Sequence, residues 1–154
     1  MSMQTKKELA VAALREGTVI DHIPSECLFK VVDLLGVKNL SNSVTIGYNL
    51  DSKRMGKKGI IKVAGLFFPE ETLNRIAVIA PDVVINIIRD YEVVEKRSVT
   101  LPAELEDIVR CPNPKCISNN EPMHTRFHVV DDGRTMLRCH YCERVIAREE
   151  AVLK

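Results

Sequence analysis

Four of the five cysteines in this 154-residue chain lie in two short motifs in its last third. The motifs are Cys111-Pro-Asn-Pro-Lys-Cys116 and Cys139-His-Tyr-Cys142, and 22 residues separate them. Each spacing allows a tight turn that brings two thiolates together. Two such turns facing each other form a tetrahedral cage of sulfur ligands, the usual geometry of structural zinc. The pattern predicts one zinc ion bound by Cys111, Cys116, Cys139 and Cys142, with an iron centre or disulfides as alternatives.

The segment between the two motifs predicts a β-hairpin. Residues 126–130 and 135–138 form strands, and Asp132-Gly133 supplies the turn. Four cysteines close the coordination shell and leave no position for a substrate, so the predicted metal stabilises the fold instead of catalysing a reaction. His140 is then expected to be a surface residue, and Cys27, outside both motifs, a small core residue.

Composition excludes several classes of protein. Hydrophobic residues make up 45% of the chain and the formal net charge is +1, which excludes a disordered chain. The longest apolar stretch, residues 83–88, is interrupted by Asn86 and is too short to cross a bilayer. The polar residues 1–8 lack a secretory signal. We therefore expect a cytoplasmic chain, and in that compartment clustered cysteines bind metal more often than they form disulfides.

A domain boundary is predicted where Pro102 interrupts the chain. We expect a first domain at 1–98, a linker at 99–104 and a zinc domain at 105–154. The zinc domain contains eight Lys or Arg and eight Asp or Glu, which leaves 14 and 13 for the remainder. This neutrality counts against an alternative function, a nucleic-acid-binding zinc ribbon, because modules that track phosphates are usually basic.

The first domain shows a readable order of elements. A short strand at 18–22 precedes a helix for which Ser25 is the predicted N-cap and Gly36 the C-terminal stop. A half-buried strand at 44–50, marked by strict alternation of apolar residues, is followed by a polar loop at 51–58.

The second half of that domain again has a strand, a helix and a strand in succession. A strand at 59–66 is followed by a helix between Pro69 and Pro81, a strand at 82–88, a turn at Arg89-Asp90 and a strand at 91–96. The β-α-β-β-α-β order predicts an α+β fold, a ferredoxin-like αβ sandwich with an antiparallel sheet, followed by a small all-β zinc-ribbon-like domain. Residues 8–16 fit either a helix or a hairpin strand.

Residues 53–62 carry a run of cations without an acid, namely Lys53, Arg54, Lys57, Lys58 and Lys62. Such a run is usually a solvated loop. Lys62 differs because it lies within an apolar strand, where it either protects a sheet edge or reaches a phosphate. The chain has no glycine-rich phosphate loop and no nucleophile–base pair, so no motif indicates catalysis.

Several stretches of the sequence together resemble those of a known protein family. The chain resembles the regulatory chains of aspartate carbamoyltransferase over nearly its whole length. The stretches that carry the resemblance are Gly17-Thr-Val-Ile-Asp-His-Ile-Pro24, Met55-Gly-Lys-Lys with Ile61-Lys62, Asn86, Tyr91-Glu-Val-Val94 with Lys96, and Cys111-Pro-Asn through Cys116-Ile-Ser118.

The resemblance implies a non-catalytic subunit whose first domain binds CTP, UTP and ATP as effectors. Its zinc domain would dock on the catalytic chain, and regulatory dimers would link two catalytic trimers. It also implies a nucleotide site made of Val11, Val19, Asp21, His22, Lys58, Ile60, Lys62, Asn86, Tyr91, Val93 and Lys96. The segment through Leu14 would be a strand of this site. Within it Glu8 and Ala12 replace polar contact residues of better-studied members, which affects the expected response to each nucleotide.

Overall fold

The computed structural model of the chain describes residues 14–154. These residues divide into two compact units, one that ends at Val99 and one that runs from Thr100 to Lys154. Within the described range, no helix is long and apolar enough to cross a lipid bilayer. Of the predicted strand through Leu14, the structure describes Leu14 alone, and Glu8, Val11 and Ala12 lie outside the described residues.

The first unit contains a five-stranded antiparallel sheet in the order β2-β3-β1-β4-β5. Its elements are β1 (Gly17–Pro24), α1 (Leu28–Leu35), β2 (Val44–Ser52), β3 (Gly56–Ala64), α2 (Glu70–Ile79), β4 (Val84–Arg89) and β5 (Glu92–Ser98). The elements from β1 to β4 have the ferredoxin-like order and sheet arrangement, and β5 adds an edge strand. The predicted α+β fold class is confirmed.

The two helices pack beside each other, and α1 covers one face of the sheet. A Cβ added at Gly59 would come within 2.8 Å of Leu28 in α1, so the backbone of β3 approaches the helix closely at this point. Ile20, Ile61 and Ile85 are register partners on this face and are completely buried. Because side chains alternate along a strand, the residues next to these three lie on the opposite face, which we call the distal face.

The first helix begins later than predicted. Residues Ser25–Cys27 form a 3-10 turn, and α1 starts at Leu28. The Ser25 hydroxyl makes no hydrogen bond among the described residues, so the prediction of Ser25 as an N-cap is wrong. Gly36 does end α1 in the left-handed conformation, with φ 66°, as predicted.

Both hairpins of the sheet differ from the sequence prediction: the first is tighter, and the turn of the second is shifted by one residue. Strands β2 and β3 continue through most of the predicted polar loop at 51–58, with Asp51 opposite Lys57. The turn between β4 and β5 is Asp90-Tyr91, whose φ values of 50° and 67° are those of a two-residue hairpin turn. The prediction of a loop at 51–58 is therefore wrong, and Tyr91 belongs to a turn instead of a strand.

Strand β2 is an edge strand, and its register shifts between Gly47 and Leu50, where Asn49 has φ 60°. Ile46 and Tyr48 are consequently 40% and 53% exposed, although the alternating pattern is that of a half-buried strand. Lys62 lies in β3, between β2 and β1, so the interpretation of this lysine as an edge residue is wrong.

The second unit is built almost entirely of strands. They are β6 (Glu104–Glu106), β7 (Val109–Arg110), β8 (Arg126–Asp131), β9 (Thr135–Cys139), β10 (Val145–Ala147) and β11 (Val152–Leu153), with one helical turn, α3 (Ile117–Asn120). Strands β10-β9-β8-β6 form one sheet and β11-β7 a second. The predicted hairpin is present, with Asp131 opposite Thr135 around the turn. Phe127, Leu105 and Leu137 form the buried centre of this small unit.

Candidate binding face and metal centre

The four cysteines of the two motifs converge in the second unit. Their sulfur atoms all lie within 4.8 Å of one another. The Sγ atoms of Cys111 and Cys142 are 3.6 Å apart, and those of Cys116 and Cys139 are 3.7 Å apart. These separations are too long for disulfides, whose sulfurs lie about 2.05 Å apart. They match a tetrahedral cage with metal–sulfur bonds of about 2.3 Å, whose sulfur–sulfur edges are about 3.8 Å.

The surroundings of the cage oppose the ionisation of all four thiols together unless a cation is present. Burial raises the pKa of Cys111 to about 12 and also raises the pKa of Cys139. Burial acts in the same direction on Cys142, but the backbone N–H of Arg144 and neighbouring side chains outweigh it and lower the pKa of Cys142 to about 7. Four adjacent, largely buried sulfurs cannot all ionise without a positive charge between them. The donor set therefore fits one soft divalent ion.

Each motif is held in its turn by local hydrogen bonds. The Asn119 side chain donates to the carbonyl oxygens of Cys111 and Asn113, at 2.9 and 2.7 Å. The Ser118 hydroxyl lies 3.1 Å from the sulfur of Cys116. These contacts fix the turn of the first motif, residues 111–116. Cys27 belongs to the first unit and takes no part in the cage, and His140 is exposed, as predicted.

In the first unit, a row of three polar residues and one valine crosses four strands of the sheet. Val19 in β1 is opposite Lys62 in β3 and also opposite Asn86 in β4. Asn86 is in turn opposite Lys96 in β5. Directly opposite residues of antiparallel strands point to the same face. The register therefore places two lysines and an asparagine on the distal face, on either side of a buried valine.

An apolar patch lies beside this row. Val19, Ile60 and Ile88 are each 7–8% exposed and form a buried cluster against which Leu14 and Leu50 pack. The β2 register shift brings Leu50 opposite Lys58 on this face, whereas Ile46 is opposite the helix-side residue Ile61. A Cβ at Gly47 would lie 2.8 Å from both Ile60 and Leu50, so a glycine is needed for these side chains to meet.

Asp21 and Lys58 form an ion pair at one end of the patch. Lys58 Nζ lies 2.8 Å from Asp21 Oδ1, and the same oxygen accepts the backbone N–H of His22 at 2.6 Å. Asp21 and His22 occupy a register shift in β1, and His22 has φ 59°. Burial lowers the pKa of His22, Asp21 opposes this shift, and Lys58, Arg54 and Lys96 add to it. The imidazole is therefore neutral near pH 7.

Two buried polar atoms in this region have no hydrogen-bond partner among the described residues, Nδ1 of His22 and Oδ1 of Asn86. Buried polar groups in folded proteins are almost always paired, so orphaned ones need an explanation. These two atoms can therefore hydrogen-bond a polar ligand on this face.

Most of the residues that the family resemblance singles out thus come together on the distal face. Val93 in β5 is opposite Ile88 and 57% exposed, next to the same patch. Tyr91 lies at the turn, is 67% exposed, and donates its backbone N–H to the carbonyl of Arg15 at 3.0 Å. Val11 lies outside the described residues.

Sequence reasoning missed Leu14, Leu50 and Ile88 as members of the patch. The alternating pattern of β2 places Leu50 on the same face as Ile46. The register shift moves Leu50 to the distal face, and the one residue in the sequence that hints at this shift is Asn49. Sequence reasoning also missed the electrostatic effect of Arg54 on the pKa of His22, because a run of charges in the sequence does not show which residues it faces.

Comparisons with known proteins agree with both halves of this description. Residues 9–100 match the family model described as aspartate carbamoyltransferase regulatory chain, allosteric domain, and residues 103–152 match the metal binding domain of the same chain. The chain is 58% identical to the aspartate carbamoyltransferase regulatory chain of Parabacteroides distasonis over 154 residues, 100% of both chains.

Two further relatives have the same name. The chain is 61% identical to the one from Bacteroides thetaiotaomicron over 150 residues, which is 97% of this chain and 98% of the relative. It is 49% identical to the one from Pyrococcus horikoshii over 145 residues, 93% of this chain and 95% of the relative.

Proposed function

Because this chain belongs to the aspartate carbamoyltransferase regulatory chain family, we propose that it is a non-catalytic subunit through which nucleotides control that enzyme. In this proposal residues 1–98 bind the effector, residues 99–104 are the linker, and residues 105–154 bind zinc and dock on the catalytic chain. The observation that carries the proposal is the row Lys62, Val19, Asn86 and Lys96 beside a buried apolar patch.

The distal face offers complementary groups for a nucleoside triphosphate. Lys58, Lys62 and Lys96 supply positive charge for the ribose and phosphates, because a lysine ammonium binds phosphate as a point charge. The patch around Val19 and Ile60 suits the flat apolar surface of a base. The orphaned Asn86 side chain is available to hydrogen-bond the polar edge of that base. We propose CTP and UTP as inhibitors and ATP as the activator.

The zinc unit supplies the connection to the catalytic chain. Four thiolates fill the coordination shell of a zinc ion, so the metal supports the fold of the unit and does no chemistry. The unit is neutral over 105–154, with eight charges of each sign, which suits a protein partner better than a nucleic acid. Reduced cysteines with these separations also suit the reducing cytoplasm, where we place the chain.

Control by nucleotides requires that each effector binds the two quaternary states of the holoenzyme with different affinity. ATP and CTP share the triphosphate, so the lysines contribute affinity to both. Discrimination then comes from the base, whose size changes how far β4 and β5 are displaced at Asn86 and Val93. Strand β5 continues directly into the proposed linker, which gives the displacement a covalent route to the zinc unit.

A second copy of the chain is the other proposed partner. The edge strand β2 carries Ile46 and Tyr48 in exposed positions, and the exposed Phe29 ring lies 5.3 Å from that of Tyr48. An edge strand with an exposed apolar surface is a template for pairing with another chain. A regulatory dimer formed here would join two catalytic trimers, since each copy carries one docking unit.

Two measurements test the proposed function. Calorimetry of the purified, zinc-loaded chain should show saturable binding of CTP, UTP and ATP. Co-expression with a catalytic carbamoyltransferase chain should yield a complex that loses assembly on zinc removal and whose activity responds to these nucleotides. A chain that binds no nucleoside triphosphate overturns the effector assignment, and a chain that never joins the catalytic subunit overturns the docking assignment.

A further inference from the structure

Apart from the cysteine cage, the second unit brings two imidazoles into direct contact. Nε2 of His128 and Nδ1 of His140 lie 2.8 Å apart, and the ring centroids are 5.1 Å apart. His128 lies in β8, and His140 follows β9 directly. The backbone N–H of His140 donates to the carbonyl of Arg126 at 2.8 Å, which holds its backbone against β8. A nitrogen of a β8 side chain and a nitrogen of the residue after β9 therefore face each other at a fixed place.

A carboxylate lies next to the other ring nitrogen of His128, the one that faces away from His140. Glu104 in β6 is opposite His128, and its Oε1 lies 3.4 Å from Nδ1 of that ring. The other oxygen of Glu104 accepts a hydrogen bond from Nη2 of Arg126 at 2.8 Å. Arg126 lowers the pKa of Glu104 through this hydrogen bond, so the carboxylate is ionised. A carboxylate that holds the far nitrogen of a histidine is the usual outer-shell partner of a metal-binding imidazole.

We propose that His128 and His140 bind one late first-row divalent cation, Zn²⁺, Ni²⁺ or Cu²⁺, at a second metal site of the zinc unit. Imidazole nitrogen is a preferred ligand of these ions. In the tautomer with its proton on Nδ1, towards Glu104, His128 presents the lone pair of Nε2 towards His140. In the metal-free pair His140 donates its Nδ1 proton to that lone pair, and on binding the proton moves to Nε2 of His140, which frees Nδ1 for the ion.

The geometry needs only a small adjustment. Two nitrogens that bind a tetrahedral ion at about 2.0–2.1 Å lie about 3.4 Å apart. The two rings must therefore separate by about half an ångström from their hydrogen-bonded distance. His140 is exposed and His128 is 24% exposed, so one ring rotates while the other stays held by Glu104. Water completes the coordination, because the four thiolates of the cage are all used by its own ion.

The chain provides a matched control in His124. Its Nδ1 lies 3.0 Å from Oδ2 of Asp107, so it is also a carboxylate-supported imidazole in the same unit. Its side chain is 84% exposed, and none of the other three histidines is paired with it in the structure. All four histidines of the chain belong to the described residues. Removal of His124 thus changes histidine content and surface charge without touching the proposed site.

The test uses the full untagged chain with its cage already filled by one zinc ion. Titration calorimetry with Zn²⁺ and separately with Ni²⁺ should show one further ion bound per chain. His128→Ala and His140→Ala should each lower that affinity more than ten-fold, and Glu104→Gln about ten-fold, the usual range for an outer-shell partner. His124→Ala should leave it unchanged. Retention of one cage zinc by each variant, measured by metal analysis, verifies that the variants are folded.

A readout without substitutions complements the variants. Ni²⁺ is paramagnetic and should broaden the imidazole proton resonances of His128 and His140 before those of His22 and His124. The proposal is overturned if no second ion binds, if His124→Ala weakens binding as much as His128→Ala, or if all four imidazoles broaden together. In any of those cases the two rings form a hydrogen bond and nothing more.

Discussion

The ammonium group of Lys58 lies 2.8 Å from the Asp21 carboxylate, and the two side chains are only 20% and 18% exposed. The residues are 37 positions apart in the chain and belong to strands β3 and β1. Asp21 also accepts the backbone N–H of His22, so the pair holds the irregular end of β1 to its neighbour. A second ion pair on the β2–β3 hairpin, Lys57 with Asp51, is much more exposed, at 55% and 93%.

These two pairs predict different costs for the same substitution. Lys58→Ala leaves a partly buried carboxylate without its charged partner and should lower the free energy of unfolding of the first unit by about 1–2 kcal/mol. Lys57→Ala breaks an exposed pair and should change it much less, because solvent screens both charges. Denaturant titrations without nucleotide measure both. Equal losses in the two variants would show that the burial of the Asp21 pair has no energetic consequence.

The lysines of the distal row should separate phosphate binding from base binding. Lys62→Met and Lys96→Met should each weaken triphosphate binding about 10-fold or more, because each removes one charge-assisted contact. The affinity for the unphosphorylated nucleoside should fall much less, because the nucleoside keeps the ribose contact and lacks the phosphates. Calorimetry at two salt concentrations should also show a weaker salt dependence in each variant. Lys30→Met, on the exposed surface of α1, is the control and should match the unsubstituted chain.

His22 makes the stability of the first unit depend on pH. Its pKa in the folded chain is lowered by burial, while the unfolded chain has the ordinary value of about 6.5. The unfolded state therefore binds more protons below about pH 6.5, and stability falls as the pH falls through that range. His22→Gln should reduce this loss, as measured by denaturant midpoints at pH 5.5 and 7.5. A bound triphosphate adds negative charge and should raise the pKa of His22, so the loss should shrink with nucleotide present.

Gly17 should tolerate substitution far less than Gly36. Gly17 has φ 142°, and a Cβ there would lie 2.1 Å from the carbonyl oxygen of Val63, a backbone atom that cannot move aside. Gly36 has φ 66° with nothing within 4 Å of the corresponding Cβ. Gly36→Ala should cost about 1 kcal/mol, whereas Gly17→Ala should cost several times more and disturb the start of β1. Thermal unfolding of the two variants gives the comparison, and similar midpoints would contradict it.

The cysteines should divide into four that bind metal and one that does not. Cys116→Ser should reduce the bound zinc to well below one ion per chain and unfold residues 100–154, because metal binding and folding are coupled in so small a unit. Cys27→Ser should keep full zinc content, since Cys27 lies in the first unit. Metal analysis and limited proteolysis report the two effects separately. Protection of the second unit in a metal-free variant would contradict the coupling.

Much of the metal centre could be predicted from the sequence. Cysteine spacing of this kind restricts each pair to a tight turn, and an Asp-Gly pair between two apolar runs indicates a hairpin, so the ligands and the hairpin that presents them follow from local chemistry. The order of strands and helices in the first unit was equally predictable from periodicity and from Gly36, Pro69 and Pro81.

The distal face needed the tertiary structure. Lys62, Val19, Asn86 and Lys96 belong to four strands, and only the register of the sheet puts them in one row. Register depends on hydrogen bonds between segments far apart in sequence, and a shift of one residue moves a side chain to the other face. The register shift in β2 moves Leu50 to the distal face. The register shift in β1 determines the position of His22.

The sequence by itself therefore determined the metal ligands and the order of elements, because turns, helix ends and alternation depend on neighbours within a few residues. The tertiary structure alone decided which polar residues share a face, that Tyr91 lies in a turn, and that His128 meets His140. These relationships join residues brought together by strand pairing and packing, whose free energy comes from contacts that no local pattern encodes.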